Sequence, residues 1–148
     1  MHIRIRKIEE RDFPGLISLF REFAIFEKLP NKMINSIEQM KSEKKYINGF
    51  VAVSDKNEIF GYVTYFFAYY TWIGKSLYMD DLYVKETSRG VGIGRKLLDK
   101  VIDLAKAEHC KKIRWQVSEW NQPAIEFYQS IGATIDGVES NCDLMLND

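Results

Sequence analysis

The sequence predicts an α/β domain in which a mixed sheet carries helices on both faces. Three observations lead there. Strand-like and helix-like patterns follow one another in the order β-α-α-β-β-β-α-β-α-β, and helices that return between strands late in a chain must cover both faces of a sheet. The length of 148 residues suits one domain with one core, so residues 1–148 are read as a single domain. Apolar residues make up 46% and charged residues 28%, with only nine glycines and three prolines, which excludes disordered, collagenous and low-complexity architectures.

The elements follow from local pattern. Ile3 and Ile5 alternate with basic residues over positions 2–8, the period of a half-buried strand. Asp12 can cap the helix that follows, and Pro14 suits its first turn. Leu16, Ile17, Phe20, Phe23 and Ala24 keep a helical spacing until Leu29-Pro30 stops it. Ile34, Ile37 and Met40 mark a shorter amphipathic segment. Phe50–Ser54 and Ile59–Ala68 are β-branched and aromatic runs around Asp55-Lys56-Asn57-Glu58, a hairpin signal, and Leu77–Val84 reads as a further strand. Beyond Gly94, Leu97, Leu98, Val101, Ile102 and Ala105 recur with helical period, and Lys111–Val117 alternates like a strand. A short helix spans Pro123–Ser130, with Asn121 as cap, Pro123 in its first turn and Gly132 beyond its end. Cys142–Leu146 has the composition of a last strand.

Charge and composition exclude several functions. Twenty-one basic residues balance twenty-one acidic ones, so the global positive field of a nucleic-acid or membrane-surface binder is missing and any anion site must be local. Cys110 and Cys142 lie far apart without a C-x-x-C or histidine partner, which points to buried free thiols and to no metal site. The amino terminus has no apolar h-region, and no window approaches the ~18 apolar residues of a membrane span, so the expected compartment is the cytoplasm.

The strongest chemical signal is Arg89-Gly90-Val91-Gly92-Ile93-Gly94, between a strand and a helix. Glycines let main-chain N–H groups converge, and a helix start adds unpaired donors and the positive end of its dipole, so the segment is an anion cradle suited to a pyrophosphate. A dinucleotide fingerprint fails because Arg95 and Leu97 stand where its third glycine belongs, and the Walker pattern lacks its Gly-Lys-Ser/Thr.

The R-x-x-G-x-G spacing does fit a family. With Asp80-Asp81-Leu82-Tyr83-Val84 before it, and Trp120-Asn121-Gln122-Pro123-Ala124-Ile125-Glu126-Phe127-Tyr128 followed by Gly132-Ala133 after it, the chain resembles the GCN5-related N-acetyltransferases (GNAT). The resemblance covers nearly the whole chain and implies a mostly antiparallel twisted sheet. Phe26-Glu27-Lys28-Leu29-Pro30, Tyr70-Thr71-Trp72-Ile73-Gly74-Lys75 and Trp120-Asn121-Gln122-Pro123 resemble the branch of diamine (spermidine/spermine) and thialysine acetyltransferases. Two departures stand out: Asp80 replaces a usual Glu, and Tyr70 occupies a position where polyamine-specific members carry an acid.

What the resemblance implies about chemistry is specific. Acetyl-CoA is the cosubstrate and no metal is needed. The pyrophosphate rests on the main chain of Arg89, Gly90, Val91, Gly92, Ile93 and Gly94, with Arg95 near a phosphate. Pantetheine pairs along Leu82, Tyr83 and Val84, and the Leu82 amide polarises the thioester carbonyl. Asn121 contacts the coenzyme or caps its helix. Tyr128 is the general acid toward the departing thiolate, a role open to a phenol of pKa ~10, against the plain reading of a packed aromatic beside Phe127. An ammonium has no lone pair to attack with, so a base is required: Asp80 through water, with Asp81 as runner-up. Successive strand residues point to opposite faces, so the two are not expected to share a task. Glu27 and Trp72, with Tyr65, Tyr69, Tyr70 and Asp80, form a pocket for an aliphatic cation; the plain reading is core aromatics and a solvated helix end.

The resulting expectation is transfer of acetyl to the primary amine of a small cationic molecule, a polyamine, diamine or lysine-like amine, by direct attack in a ternary complex. Partners are then the amine and coenzyme A, with no nucleic acid and no membrane, and the branch allows a homodimer. The alternatives are a protein N-terminal or lysine acetyltransferase, and a non-catalytic acetyl-CoA-binding module.

Overall fold

A computed structural model describes residues 2–146. Contacts divide the chain into two compact units, Met1–Gln116 and Val117–Asp148.

The first unit holds the sheet. Its strands β1 (Arg4–Lys7), β2 (Asn48–Val53), β3 (Ile59–Tyr70), β4 (Gly74–Val84) and β5 (Ile113–Arg114) lie side by side in that order. The first three pairings are antiparallel and β4–β5 is parallel. A parallel neighbour needs a crossover, and α3 (Ile93–Ala107) supplies it. Helices α1 (Phe13–Phe26) and α2 (Ile37–Ser42) precede β2.

Both faces of the sheet are covered, which explains why β2 is buried at five successive positions, where a half-solvated strand would alternate. On one face, Phe13, Leu16, Ile17 and Leu19 of α1 and Met40 of α2 pack with Val51, Val53, Tyr62 and Tyr83. On the other, α3 buries Leu97, Leu98, Val101 and Ala105; Lys100 lies over the Phe50 ring, and the Leu97 side chain sits over Gly61. The β2–β3 connection is held by Ser54, whose amide donates to the Glu58 carbonyl at 3.0 Å and whose Oγ accepts from the amides of Lys56 and Glu58. Asn57 there has a φ of 62°, a conformation its short polar side chain tolerates.

Asp12 does not cap α1. Its carboxylate accepts a bidentate pair from Arg6 (2.8 and 2.9 Å) and the Glu9 amide (2.8 Å), and it is 3% exposed. A bidentate guanidinium–carboxylate fork outcompetes a single cap bond to a backbone N–H. Burial alone raises the carboxyl's pKa, but Arg6 and the Glu9 amide outweigh it, so the folded value lies below the ordinary one. The sign follows: this stabilisation is complete above the unfolded carboxyl's pKa and is lost as pH falls through the folded one. We expect Asp12→Asn to cost ~2 kcal/mol at pH 7 and less at strongly acid pH, measured by urea unfolding.

The second unit contains α4 (Gln122–Ser130), one residue longer at its start than expected. Asn121 caps it, Oδ1 accepting from the Ala124 amide at 3.4 Å, and Gly132 follows at a φ of 96°. Two expected strands are corrected. The Lys111–Val117 strand shrinks to Ile113–Arg114, because only Leu77 and Tyr78 of β4 pair with it. Cys142–Leu146 forms no strand: it finds no ladder partner among the described residues, and Leu144 is 85% exposed; without that strand Cys142 is exposed and Cys110 only half-buried, which corrects the expectation of buried thiols. Apolar composition does not make a strand without a neighbour.

Candidate active site

Strand β4 carries most of the chemistry. Thr64 pairs with Asp81 but Tyr65 pairs with Met79, so Asp80 is the additional residue of a β-bulge. This corrects the expectation that the two carboxylates face opposite ways. The bulge interrupts the alternation, and Asp80 and Asp81 line one cavity of about 510 Å³. Phe20, Phe23, Ala24 and Glu27 of α1, Met40 of α2, and Thr64, Tyr65 and Phe66 of β3 form further walls. Glu27 follows the last residue of α1, its amide bonded back to the Phe23 carbonyl, which fixes the start of that side chain.

The carboxylates are tuned by their surroundings. Tyr62, fully buried beneath the cavity, donates its hydroxyl to Asp81 Oδ2 at 3.1 Å, and Thr64 Oγ1 accepts from the Asp81 amide at 3.2 Å. Burial and then the neighbouring Asp80 charge push the Asp81 carboxyl up to about 7, against the opposing Tyr62 hydrogen bond. Asp80 is exposed as a residue, yet desolvation of its carboxyl raises its pKa too. A carboxyl poised near neutrality in a cavity suits proton transfer at physiological pH.

The same strand continues into an open edge. The Lys85 amide donates to the Phe60 carbonyl at 2.8 Å, making that a hydrogen-bonded pair. Antiparallel alternation then turns the main-chain groups of Val84 and Leu82 away from β3. The Val84 carbonyl indeed accepts from Arg89 Nε at 2.9 Å. Since β5 pairs only as far as Tyr78, the Leu82 N–H and C=O face an edge with no strand partner among the described residues.

Next comes the glycine loop. Gly90 and Gly92 have φ of 86° and 84°, a region that penalises other residues, and a Cβ on either would meet nothing within 4 Å, so backbone conformation, not crowding, calls for glycine and the space over both is open. Among the described residues, the N–H groups of Arg89, Gly90, Val91 and Gly92 donate to no acceptor in the chain. The first amides of α3 have no partner a turn earlier, and helical bonding opens with the Lys96 amide on the Gly92 carbonyl. Such a run of unpaired donors at a helix start fits a pyrophosphate. The Arg89 guanidinium lies over the rings of Phe26 (4.9 Å) and Tyr83 (5.1 Å), so its side chain packs the loop against α1. Tyr83 in turn stacks on Phe23 and donates to Glu22. Arg95 pairs with Asp99 at 2.8 Å.

The expected aromatic cluster is split. Tyr65 lines the cavity, whereas Tyr70 lies under Lys112 and Arg114, and Trp72, 97% exposed in the turn between β3 and β4, is outside the cavity lining. Lys32, Asn35, Tyr46 and Asn48 line the cavity without having been singled out from sequence; the first three come from the connections around α2 and Asn48 is the first residue of β2, polar positions that carry no periodic or spaced signature. In the second unit, Tyr128 is half-buried on α4, its ring 5.5 Å from that of Phe127. Among the described residues no group of histidine, cysteine or acidic side chains is arranged to hold a metal ion, and no helix is long and apolar enough to cross a membrane.

Comparison with known proteins places these features in context. The model of the acetyltransferase (GNAT) family matches residues 4–133, a span that runs through the first unit and into the second. A thialysine N-epsilon-acetyltransferase of Bos taurus is 34% identical over 142 residues, covering 88% of this chain and 84% of the relative. The spermidine/spermine N(1)-acetyltransferase-like protein 1 of Homo sapiens is 29% identical over 147 residues, covering 89% of this chain and 20% of that protein. In fold, an aminoglycoside acetyltransferase from an uncultured soil metagenomic sample matches with a TM-score of 0.77 at 23% identity, covering 98% of this chain and 97% of the other.

Proposed function

The chain belongs to the acetyltransferase (GNAT) family and is an N-acetyltransferase, and from that premise we propose that it moves acetyl from acetyl-CoA to the primary amine of a small cationic molecule by direct attack in a ternary complex. The observation that carries this reading is the convergence of Glu27, Asp80 and Asp81 on one cavity, one residue along β4 from the open edge at Leu82. Similarity to thialysine and spermidine/spermine-type relatives supports an amine acceptor.

Acetyl-CoA supplies an activated acyl thioester. The residues present divide the remaining work. The loop amides from Arg89 to Gly94 hold the pyrophosphate, and Leu82 offers its N–H to the thioester carbonyl, a donor fixed before reaction begins. Glu27 and Asp80 draw the ammonium into the cavity, where Asp81 accepts its proton and exposes the lone pair. Tyr128, through its place in N-x-x-A-x-x-F-Y, returns a proton to the departing thiolate. Residues 1–148 act together as one acetyltransferase domain, a reading supported by the family match running from 4 to 133.

The test is thiol release from acetyl-CoA against a panel of diamines, polyamines, lysine-like amines and peptide amines. Turnover of small cationic amines with peptides inert is the expected result; turnover of peptides alone, or of nothing, overturns it. Tyr128→Phe keeps the ring and removes the donor, so kcat should fall ~10-fold to 100-fold with coenzyme affinity unchanged. Wild-type kcat in that variant returns Tyr128 to a packing role.

A further inference from the structure

The Asp81 carboxylate has two oxygens, and the fold engages only one. Oδ2 accepts from the Tyr62 hydroxyl at 3.1 Å; Oδ1 accepts from no described residue, yet it is not sealed from solvent. Since Asp81 lines the cavity and Tyr62 does not, Oδ2 is turned toward the protein and Oδ1 toward the space an amine would enter. Register explains the contact. Thr64 stands opposite Asp81 in the β3–β4 ladder and Tyr62 opposite Tyr83, so Tyr62 is the diagonal neighbour of Asp81 on the same face, within reach of a long side chain. Its ring is fully buried, edge-on to Phe20 of α1 at 5.1 Å and 6.4 Å from the ring of Tyr83.

Burial also sets the direction of the bond. Asp81 is the one hydrogen-bond partner of the Tyr62 hydroxyl among the described residues. Were that hydroxyl to accept from a protonated Oδ2, its own proton would be left buried without an acceptor, a state that desolvation penalises heavily. Tyr62 therefore donates whether Asp81 is ionised or neutral. A proton that Asp81 takes up must then sit on Oδ1, on the cavity side. The other ionisable groups around the pair are Asp80 on β4, Glu27 after α1, Lys32 and Tyr46 on the connections around α2, Tyr65 on β3, and Tyr83, itself bonded to Glu22. None of these hydrogen-bonds to the Asp81 carboxylate.

Resting on the reading of Asp81 as the acceptor of the amine's proton, we propose that Tyr62 is a positioning residue for acetyl transfer: by holding Oδ2 it reserves Oδ1 as the atom that takes that proton. The ammonium N–H bond breaks as an O–H bond forms at Oδ1, and the electron pair stays on nitrogen, free to attack the thioester. Tyr62 itself neither gains nor loses a proton. Its bond favours the ionised carboxylate, so without it burial and the Asp80 charge act on Asp81 unopposed. The competing role is packing alone, as one ring of the core between α1 and the sheet.

The experiment measures kcat and kcat/KM against pH, with the amine turned over fastest, for the wild type, Tyr62→Phe, Asp81→Asn and the double variant. Phenylalanine keeps the ring and removes only the donor. In Tyr62→Phe the inflection near 7 should move to more alkaline pH by about one unit, lowering kcat/KM about 10-fold on the acid side. The alkaline plateau of kcat should fall about 3-fold to 10-fold because Oδ1 is no longer aimed, with the KM of acetyl-CoA unchanged. Because Tyr62 acts through Asp81, its substitution should add nothing in the Asp81→Asn background. A second measurement uses the wild-type fold: in protein isotope-labelled at tyrosine Cζ, the Tyr62 resonance should titrate with the inflection of Asp81, at a pH where a phenol does not ionise, and should lose that inflection in Asp81→Asn. An inflection or a plateau that stays put in Tyr62→Phe, additive losses in the double variant, or a Tyr62 resonance that does not titrate would each overturn the positioning role while leaving Asp81 as the base. An inflection that survives in Asp81→Asn overturns the base assignment, and the role of Tyr62 with it.

Discussion

Gly92→Asp is expected to give a folded protein whose affinity for acetyl-CoA has fallen by at least ~100-fold. Three observations set this expectation. Gly92 precedes α3 at a φ of 84°, which costs an L-residue of this type about 1 kcal/mol. A Cβ there meets nothing within 4 Å, so the substitution adds no clash. Aspartate is also among the side chains that most readily accept from the first amides of a helix, which offsets part of the strain. The variant should therefore unfold near the wild-type temperature, but its own carboxylate would occupy the donors proposed to hold the pyrophosphate and oppose its charge. Ligand-induced thermal stabilisation reads this directly: acetyl-CoA should raise the midpoint of the wild type and leave that of the variant unmoved. Equal stabilisation of both proteins would remove the pyrophosphate from this loop.

Much of this architecture is legible in the sequence because local chemistry and tertiary role agree. The helical spacing from Leu97 to Ala105 coincides with the residues that α3 buries, and the Asn121, Pro123 and Gly132 punctuation of α4 works through local hydrogen bonds and backbone preference that need no distant partner. The glycine loop is legible for the same reason, since its conformation is a property of the residues themselves. Features that depend on a partner are not. Asp12 is a plausible cap until Arg6, two elements away in pattern, takes its carboxylate. The bulge at Asp80 leaves no mark in the run Leu77–Val84, because an additional residue on one strand is defined only by the register of the other. Hence both acids were recognisable as chemistry, but their meeting in one cavity was not. Lys32 and Asn35 were hidden for a related reason: they are polar residues of a connection, and only the packing of α1 and α2 brings them to the acids.

Asp81→Asn should separate activity from stability in opposite directions. The Asp81 carboxyl, pushed up to about 7 by burial and then by Asp80, is held protonated by the fold over a range in which an unfolded carboxyl, ordinarily near 3.8, has ionised. Between about pH 4 and 7 the native state thus binds the extra proton, so the Asp81 contribution to stability falls as pH rises through that window and is flat above it. Asparagine keeps an acceptor for the Tyr62 hydroxyl and carries no charge to desolvate. The variant should match the wild type in stability near pH 4 and exceed it by roughly 1–2 kcal/mol above pH 7, measured by urea unfolding. Activity should move the other way. If Asp81 receives the amine proton, kcat/KM of the wild type rises with pH to an inflection near 7, and Asp81→Asn loses ~100-fold to 1,000-fold at neutral pH together with that inflection. Part of the loss should return as pH climbs toward the amine's own pKa of ~10, where solvent delivers the free base. Asp80→Asn gives a contrasting result, since removing its charge lowers the Asp81 carboxyl and shifts the inflection to more acid pH. An acid limb that survives unchanged in Asp81→Asn would transfer the base to another group, whatever the variant does to stability.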